Sequence, residues 1–465
     1  MRLGLCLQTV MVHIVRRTGG LTAIVALAVT FSVALSGQAK AATDYRYDRS
    51  FGSNGLVKAI TGSADLSAEL PSKVLLKDKR GRIVLGAANG KQWQIRRYYP
   101  NGRLDAGFGD GGLVAFTGWG GIGADTEGIR ATLTSGVIRP NGRILLAGFV
   151  KDEAKRGLID PYIVLKQLLP DGTPDASFGQ SEGGETGDST NGAVGVDLLP
   201  SGKFLTAGFS DLGAEGVREV GILKRYKPDG DDDRTFFGSI GLEIPATRAD
   251  RSLLLDVEVL PSGKILVAGT SKSRYLVIKL KKNGKYVRSF GKKGRAIFDP
   301  GGKGCRCSIG RAMDRDRKGR IVVTGQVRPD DPEKAGYGVT VRFRRGGKLD
   351  RSFGKNGVAK LRATKPDGRR TTVLYDTAID RYRGIWVTGS AGDEFARTPR
   401  WGVTVRYLPN GRRDRRFFKG GLLRGRTDSP NYGGVLKRDG RRMYLGGRFD
   451  RGDQEGVFMR RFRPR

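Results

Sequence analysis

DRSFG at residues 48–52 is the first copy of a phrase whose recurrence decides the fold. The other copies are DAGFG at 105–109, DASFG at 175–179, DRTFF at 233–237, VRSFG at 287–291, DRSFG at 350–354 and DRRFF at 414–418. Their phenylalanines are Phe51, Phe108, Phe178, Phe236, Phe290, Phe353 and Phe417, at successive spacings of 57, 70, 58, 54, 63 and 64 residues. Self-similarity at a nearly fixed period, here about sixty residues, is the sequence signature of repeat architectures such as solenoids and propellers.

Two further phrases keep the same period. One is a turn followed by an apolar strand, as in RGRIVLG from Arg80 and SGKILVAG from Ser262. The other is a strand that ends in a turn, as in IRRYYPNG from Ile95 and VRYLPNG from Val405. The NG, DG and SG pairs place glycine where a tight turn needs positive φ. We interpret the repeated Asp of DxSFG as a turn cap and the repeated Phe as packing between units.

Each unit holds about four short strands. Runs such as ILVAG are apolar and β-branched, which favours strands buried on both faces. VTVRFRR, residues 339–345, alternates between apolar and polar residues and predicts a half-exposed strand near a sheet edge. Further strands are predicted in GLVKAI, after the first FG, and in VDLLP, before a later turn. Four antiparallel strands repeated radially form a propeller blade, and propellers have about 4–8 blades.

The sequence therefore predicts an all-β fold, a seven-bladed β-propeller over residues 42–465 that follows a signal peptide at 1–41. The predicted blade boundaries are 48–104, 105–174, 175–232, 233–286, 287–349, 350–413 and 414–465. Two ways of closing the ring stay open. Either ATDYRY, residues 42–47, completes the last blade, or closure depends on packing alone.

The three phrases, at this period, resemble the bacterial delta-60 repeat proteins. The resemblance covers residues 48–465 and implies β-propeller blades, but it brings no catalytic residues. Departures from the pattern are Val287 in place of Asp, and Phe237 and Phe418 in place of the Gly after Phe. WD-type propellers are disfavoured because their signature contains a Gly-His pair, and the only histidine is His13.

The N-terminal segment has the features of an export signal. Arg2, Arg16 and Arg17 precede an apolar run, Leu21 to Leu35, which is too short to span a membrane. We predict cleavage after Ala41, with the bond after Ala39 as the alternative, and a secreted, extracytoplasmic mature chain without a transmembrane span. The Arg16-Arg17 pair leaves general and twin-arginine export both open.

Cleavage would remove His13, and a chain without histidine cannot form Ser-His-Asp or Cys-His catalytic groups or histidine-ligated metal sites. This favours a non-enzymatic role, although catalysis by carboxylates, Tyr or Lys stays open. Acidic clusters at 229–233 and from Asp314 coincide with repeat turns, so we predict no metal site and no cofactor. Cys305 and Cys307 could form a strained bridge or remain two thiols.

Charge is distributed unevenly along the chain. Residues 42–270 have 28 Lys or Arg and 29 Asp or Glu, whereas residues 271–465 have 52 and 18, a net charge of +34. In a closed ring the late blades are neighbours, so one arc should be strongly basic and able to attract anions. The alternative interpretation is a solvated surface whose charges keep sheet edges soluble.

These observations predict a monomeric binding module whose basic arc, in predicted blades five to seven, contacts an anionic cell-envelope polymer, lipid headgroups or an acidic polysaccharide. Nucleic acid is disfavoured because aromatic residues, the stacking platforms for bases, make up only 8% of the chain. Two alternatives stay open: a carboxylate-based polysaccharide hydrolase or lyase in the propeller funnel, and a structural envelope protein without a ligand. The candidate anion-binding residues are Arg315, Arg317, Lys318, Arg320, Arg342, Arg344, Arg345, Arg412, Arg413, Arg415 and Arg416.

Overall fold

The computed structural model of the chain describes residues 45–61, 74–89, 92–117, 129–152, 162–179, 185–188, 192–210, 220–238, 241–244, 251–302, 305, 307–331, 334–363, 371–392, 401–425, 431–451 and 454–465. The predicted signal peptide, its cleavage site and residues 42–44 lie outside these ranges. Nearly all regular structure in the described residues is antiparallel β-strand.

The chain forms a succession of short sheets, which we number in chain order. Two N-terminal strands come first, β1 (Tyr45–Tyr47) and β2 (Leu56–Ile60). Sheet 1 contains β3 (Leu75–Lys77), β4 (Ile83–Ala88), β5 (Trp93–Tyr98) and β6 (Leu113–Phe116). Sheet 2 contains β7 (Ile129–Ile138), β8 (Ile144–Asp152), β9 (Tyr162–Leu168) and β10 (Glu185–Asp188). Sheet 3 contains β11 (Gly192–Leu198), β12 (Phe204–Ser210), β13 (Val220–Tyr226) and β14 (Leu242–Ile244).

The second half of the chain repeats this arrangement. Sheet 4 contains β15 (Leu253–Val259), β16 (Ile265–Ser271), β17 (Arg274–Leu280) and β18 (Arg295–Phe298). Sheet 5 contains β19 (Cys307–Arg315), β20 (Ile321–Arg328), β21 (Tyr337–Phe343) and β22 (Val358–Leu361). Sheet 6 contains β23 (Thr371–Ile379), β24 (Ile385–Gly392), β25 (Trp401–Tyr407) and β26 (Leu422–Arg424), with a short 3-10 turn at Lys419–Gly421. Sheet 7 contains β27 (Asn431–Asp439), β28 (Arg442–Arg451) and β29 (Gln454–Pro464), completed by β1 and β2.

The seven sheets close into a ring. The first strand of each sheet contacts the first strand of the next, from β3 and β7 onward, and β27 of sheet 7 contacts β3 of sheet 1. All seven sheets belong to one compact unit. Because neighbouring sheets approach one another along their first strands, those strands lie at the inner edge of the ring. This architecture is the predicted seven-bladed β-propeller.

The two chain ends close the ring by pairing in one sheet. Tyr47 of β1 lies opposite Phe462 of β29, and Val57 of β2 lies opposite Met459. Tyr45 is buried, with its ring edge against Trp386 of sheet 6 at a centroid distance of 4.8 Å. Of the two ways of closing the ring, completion of the last sheet by the N-terminal segment is the one observed.

The sheets are offset from the predicted blade boundaries. From the second DxSFG phrase onward, the strand after each phrase pairs with the third strand of a sheet whose other strands precede the phrase. Thus β6 pairs with β5 in sheet 1, and β22 pairs with β21 in sheet 5. DRSFG at 48–52 lies between β1 and β2, which both pair with β29, and each of the other six phrases forms the connection between the third and fourth strands of one sheet. The predicted boundaries divide every sheet at this connection, because the repeat in the sequence begins where the sheet is not yet complete.

The interpretation of VTVRFRR as a half-exposed edge strand is wrong. This segment contributes β21, which pairs with β20 on one side and β22 on the other, and the side chains of β21 are buried on both faces. The polar residues within β21 are buried because each has a partner: the Thr340 hydroxyl lies 3.1 Å from that of Thr324, and Arg342 pairs with Asp350. The alternation of apolar and polar residues therefore did not indicate an exposed face, because buried polar side chains can be satisfied by partners inside the protein.

Candidate functional site

The three signature phrases meet at one carboxylate in each of most sheets. In sheet 1, Asp105 of DAGFG lies 2.6 Å from Nε of Arg97, which belongs to IRRYYPNG. Nη1 of Arg82, from RGRIVLG, lies 3.7 Å from the same carboxylate oxygen. The side chain of Arg97 also covers the ring of Phe108 at 4.5 Å. The three phrases recur with the same period because each supplies one residue to the same buried contact.

The same arrangement recurs around the ring, with buried aspartates at each centre. The corresponding groups are Asp48 with Arg461 and Arg442, Asp175 with Arg143 and Gln167, Asp233 with Arg225 and Lys203, Asp350 with Arg342 and Arg320, and Asp414 with Arg406. Burial by itself opposes ionisation of Asp350, but hydrogen bonds from Ser352 and Arg342 and the arginine charge outweigh it. The pKa of Asp350 is therefore held below its ordinary value.

The repeated aspartate is confirmed as a turn cap. Its second oxygen accepts a hydrogen bond from the hydroxyl two residues later, at 2.7 Å from Ser50 to Asp48 and at 2.7 Å from Ser352 to Asp350. The backbone N–H of the same serine also points to this oxygen. A carboxylate whose oxygens are occupied in this way is suited to holding a turn rather than to transferring protons.

The repeated Phe-Gly pair joins neighbouring sheets. All seven repeat phenylalanines are buried, which confirms their interpretation as packing residues. The N–H of Gly52 donates to the carbonyl of Asn101 in the next sheet at 2.7 Å, and that of Gly354 donates to Asn410 at 2.8 Å. A Cβ at Gly52 would clash with the Leu56 carbonyl oxygen, and φ there is +52°, so glycine is required.

A second set of aspartates joins the inner strands to one another. Each lies on a first strand and accepts the N–H of a residue on the first strand of the next sheet, at 2.6–2.7 Å: Asp197 from Val259, Asp256 from Met313, Asp314 from Ile379 and Asp376 from Leu436. First strands are the edges of their sheets, so these N–H groups have no strand partner. The carboxylates supply the missing acceptors.

The role of these inner aspartates was not predicted from the sequence. The sequence does contain a signal for them, because an Asp interrupts the apolar run that precedes several of the turns. Burial raises the pKa of Asp197 to about 6 and that of Asp314 to about 6, and the charge of Glu258 acts in the same direction on both. Glu258 itself lies 3.1 Å from Arg315, and burial raises its pKa as well. The described inner strands of sheets 3 to 5 thus carry a small group of carboxylates whose ionisation is costly.

Asp314→Asn is expected to change how stability depends on pH. The pKa of Asp314 in the folded protein, about 6, lies above the ordinary 3.8, so the favourable contribution of its neutral form is lost as pH rises through this interval. Asparagine does not titrate. As pH rises from 4 to 7, the unfolding free energy of the wild type should therefore fall relative to that of the variant. The difference, variant minus wild type, should increase by up to about 3 kcal/mol.

Urea unfolding at several pH values measures this difference. Asp110→Asn, which changes an exposed carboxylate of sheet 1, is the control. A difference between Asp314→Asn and wild type that stays constant from pH 4 to pH 7 would contradict the prediction.

The predicted basic residues fall into three groups: buried, partly engaged and exposed. Arg342 is buried against Asp350 at 2.8 Å and covers the ring of Phe353, which places it in the core and removes it from the candidate anion ligands. Arg315 pairs with Glu258 at 3.1 Å and Arg320 with Asp316 at 2.6 Å, so both are partly engaged. The remaining candidates are exposed: Arg317, Lys318, Arg344, Arg345, Arg412, Arg413, Arg415 and Arg416.

All the exposed candidates lie on one face of the propeller. In an antiparallel meander, the connection between the first two strands and that between the last two emerge at the same end of the sheet. Arg317 and Lys318 lie in the first type of connection and the other exposed candidates in the second. We define the basic face as the connections between the third and fourth strands of sheets 4, 5 and 6, residues 281–294, 344–357 and 408–421.

The basic face carries further exposed cations, which lie outside the runs of consecutive arginines that stand out in the sequence. They are Lys281, Lys282, Lys285, Arg288, Lys292, Lys293, Lys348, Arg351 and Lys355. The acidic residues of the basic face are Asp350 and Asp414, and both are buried in the contacts described above. The equivalent connection of sheet 3, residues 227–241, differs because Lys227 and Arg234 are accompanied there by four acidic residues, Asp229, Asp231, Asp232 and Asp233.

Cys305 carries a free, half-buried thiol, with Sγ 3.5 Å from the Gly301 carbonyl oxygen. Of the two alternatives, the structure therefore shows a thiol rather than a bridge at Cys305, and the side chain of Cys307 lies outside the described residues. Within the described ranges there is no helix of the length and hydrophobicity needed to cross a membrane.

Comparisons with known proteins concern the architecture alone. No protein-family model matches the sequence, and no curated protein matches it. Virginiamycin B lyase from Staphylococcus aureus is 8% identical over 87% of this chain and 99% of its own, with a TM-score of 0.43. Polysaccharide lyase Uly1 is 9% identical over 86% and 91%, with a TM-score of 0.42. Drosophila Plexin A in complex with Semaphorin 1b is 9% identical over 88% of each chain, with a TM-score of 0.39.

At such identities and TM-scores these likenesses carry no argument about activity. The topology of the sheets defines the class of protein, a seven-bladed β-propeller with its signature phrases on one face.

Proposed function

We propose that this protein is a secreted binding module that holds an anionic polymer or surface of the cell envelope against its basic face. The observation that carries the proposal is the lack of compensation on this face. Three neighbouring connections, residues 281–294, 344–357 and 408–421, expose lysines and arginines, while their acidic residues, Asp350 and Asp414, are buried and paired. An uncompensated surface of one sign attracts an extended partner of the other sign.

The arrangement favours an extended partner rather than one compact group. The cations are distributed over three sheets that are neighbours in the ring, and they lie on flexible side chains at turns. Each exposed contact contributes little by itself, so affinity would come from many contacts made at once. An acidic polysaccharide, another anionic wall polymer or a layer of anionic lipid headgroups has this repeated charge.

Binding should be steeply dependent on salt and should involve the basic face in particular. The test is retention of the mature protein on an acidic polysaccharide across a salt series, for the wild type and for a variant with Arg412, Arg413 and Arg415 changed to Gln. We expect the variant to bind at least about tenfold more weakly near 0.1 M salt and to have a shallower salt dependence.

The matched control changes Lys79, Arg80 and Arg103 to Gln. These residues are exposed and lie on the same side of sheet 1, outside the basic face, so both variants lose the same charge. Equal weakening of the two variants would indicate attraction by net charge alone. Retention that does not respond to salt would contradict the proposal and favour a structural protein without a ligand.

A carboxylate-based hydrolase or lyase would draw on the inner strands, where Asp197, Glu258 and Asp314 lie. The oxygens of Asp197 accept the N–H groups of Leu198 and Val259, at 2.8 and 2.6 Å, and those of Asp314 accept the N–H groups of Arg315 and Ile379, both at 2.6 Å. A general acid or nucleophile needs an oxygen that can reach the substrate. These contacts favour a role in joining sheets, so the binding module is the better supported function.

A further inference from the structure

Sheet 4 departs from the arrangement that the other sheets share. In the other six sheets an aspartate of the DxSFG phrase lies beside a cationic or amide side chain from the phrase on the third strand. Sheet 4 has Val287 at the aspartate position. The two other phrases still supply their cations, Lys264 in the place of Arg82 and Lys279 in the place of Arg97.

The backbone of sheet 4 is otherwise the same at this point. The N–H of Val287 donates to the carbonyl of Lys279 at 2.9 Å, as that of Asp350 does to Arg342 at 2.8 Å. Nζ of Lys279 lies 5.6 Å from the centre of the Phe290 ring, the counterpart of the arginine above Phe353. The turn keeps Ser289, the counterpart of Ser352, which caps its aspartate. Sheet 4 therefore lacks the carboxylate but keeps the backbone geometry and the cation above the phenylalanine ring that surround the carboxylate in other sheets.

A third cation replaces a neutral group beside this position. In sheets 1 and 5 the arginine also donates to the carbonyl of a proline in the following sheet, Pro170 or Pro409. The corresponding residue of sheet 5, which faces sheet 4, is Arg345, and its side chain is exposed. By their positions in the repeat, Lys264, Lys279 and Arg345 are the cations around the site of the absent aspartate, and the charges of Lys264 and Arg345 both act on Lys279.

The electrostatics of these cations are unfavourable without an anion. Burial lowers the pKa of Lys279, and the charges of Lys264, Arg345 and Arg315 act in the same direction. Glu258 acts in the opposite direction but pairs with Arg315 at 3.1 Å. Within the described part of the chain, neither Lys264 nor Lys279 forms an ion pair with a carboxylate. Positive charges held together in this way favour binding of a negative group.

We propose that sheet 4 contains an anion site, formed by Lys264, Lys279 and Arg345 beside the half-buried side chain of Val287, that takes the carboxylate of an acidic sugar in place of the charge that other sheets supply with an aspartate. The six sister sheets show that the polar side chains of this frame pair with a planar, singly charged carboxylate. Lys281, Lys282 and Lys285 of the basic face follow directly in the chain, so a uronate unit of a bound polymer could reach the site. This last step rests on the proposed function, whereas the anion site rests on sheet 4 alone.

The test is calorimetric titration of the mature protein with glucuronate at constant ionic strength, with Val287→Asp and Val287→Asn as a matched pair. The substituted aspartate would supply the carboxylate from within the chain, so V287D should bind glucuronate at least tenfold more weakly than the wild type. V287N has the same shape without the charge and should retain binding. The removal of like-charge repulsion should also raise the unfolding temperature of V287D above that of V287N.

Lys264→Gln provides a second test that does not depend on folding of V287D, because Lys264 is exposed. It should weaken glucuronate binding about tenfold, while Lys79→Gln, which changes an exposed lysine of sheet 1 outside the basic face, should not. Equal binding by wild type, V287D and K264Q, or no binding by the wild type, would overturn the site. Phosphate or sulfate binding more tightly than glucuronate would overturn the assignment to a carboxylate.

The monomeric probe also separates this site from polymer binding. V287D should lose glucuronate binding and keep most of its salt-dependent retention on the polymer, since the exposed cations are unchanged. The variant with Arg412, Arg413 and Arg415 changed to Gln should lose retention on the polymer and keep glucuronate binding. The two sites would then be lost independently of each other.

Discussion

Replacing Arg406 by methionine is expected to lower the free energy of unfolding by about 3–5 kcal/mol, the cost of breaking a buried ion pair from one side. Arg406 is almost completely buried, and its Nε lies 2.8 Å from Asp380. Its Nη1 contacts Asp414, the repeat aspartate of sheet 6. Methionine would fill much of the volume but leave two buried carboxylates without their cation.

The expected effect is large because Arg406 serves two aspartates instead of one. Other sheets place a second cation in the turn before the second strand, as Arg320 does in sheet 5. Sheet 6 has Gly384 there, and a Cβ at this glycine would clash with the guanidinium of Arg406. The glycine makes room for the arginine, so the position that carries the second cation in other sheets carries none in sheet 6.

Arg416→Met is the matched control for this prediction. Arg416 lies 3.5 Å from Asp414, but its side chain is 63% exposed, so its loss should change stability by no more than about 0.5 kcal/mol. Chemical denaturation at pH 7 measures both variants. The deficit of Arg406→Met should shrink as pH falls, because protonation removes the charge of the unpaired carboxyls. Equal effects of the two substitutions would contradict the prediction.

Removing residues up to Ile60 is expected to abolish cooperative folding of the ring. The deletion takes away β1 and β2, which together pair with β29 along most of its length. It also removes Asp48, whose carboxylate lies 2.9 Å from the buried Arg461, and the buried Phe51. The remaining β29 would be an exposed edge that carries an unpaired buried cation, which favours opening and aggregation.

The effect can be tested by restoring the strand in trans. A synthetic peptide of residues 45–60 should bind the truncated protein and recover its sigmoidal thermal transition, as an added strand does at an open sheet edge. The same peptide with Asp48→Asn should restore it less well, and a chain that starts at residue 45 should unfold like the mature protein. A cooperative transition in the truncated protein without peptide would show that packing alone closes the ring.

Much of the architecture could be predicted from the sequence. The seven phrases, the turn glycines and the apolar runs are local features, and each corresponds to a turn or strand in the structure. The capping role of the repeat aspartate was also predictable, because its serine partner is two residues away. The candidate site was predicted less well. Arg342 belongs to a basic run in the sequence, yet its partner Asp350 draws it into the core.

The inner aspartates show why contacts between different sheets could not be predicted from the sequence. Asp197 and Val259, or Asp314 and Ile379, are joined by a hydrogen bond across two sheets, and no spacing within either phrase indicates it. The same holds for Lys264 and Lys279, whose significance appears only when their sheet is compared with its six sisters. Burial and partner choice depend on residues brought together by the ring.

From the chain alone it follows that one strand-and-turn unit occurs seven times and that positive charge accumulates toward the C-terminus, because repeats, turns and composition are properties of neighbouring residues. The assembled fold was needed to show that Asp48 pairs with Arg461 to close the ring, that the exposed cations share one face, and that Val287 occupies the aspartate position beside Lys279. These outcomes depend on contacts between segments far apart in the chain, and such contacts exist only when the sheets are assembled.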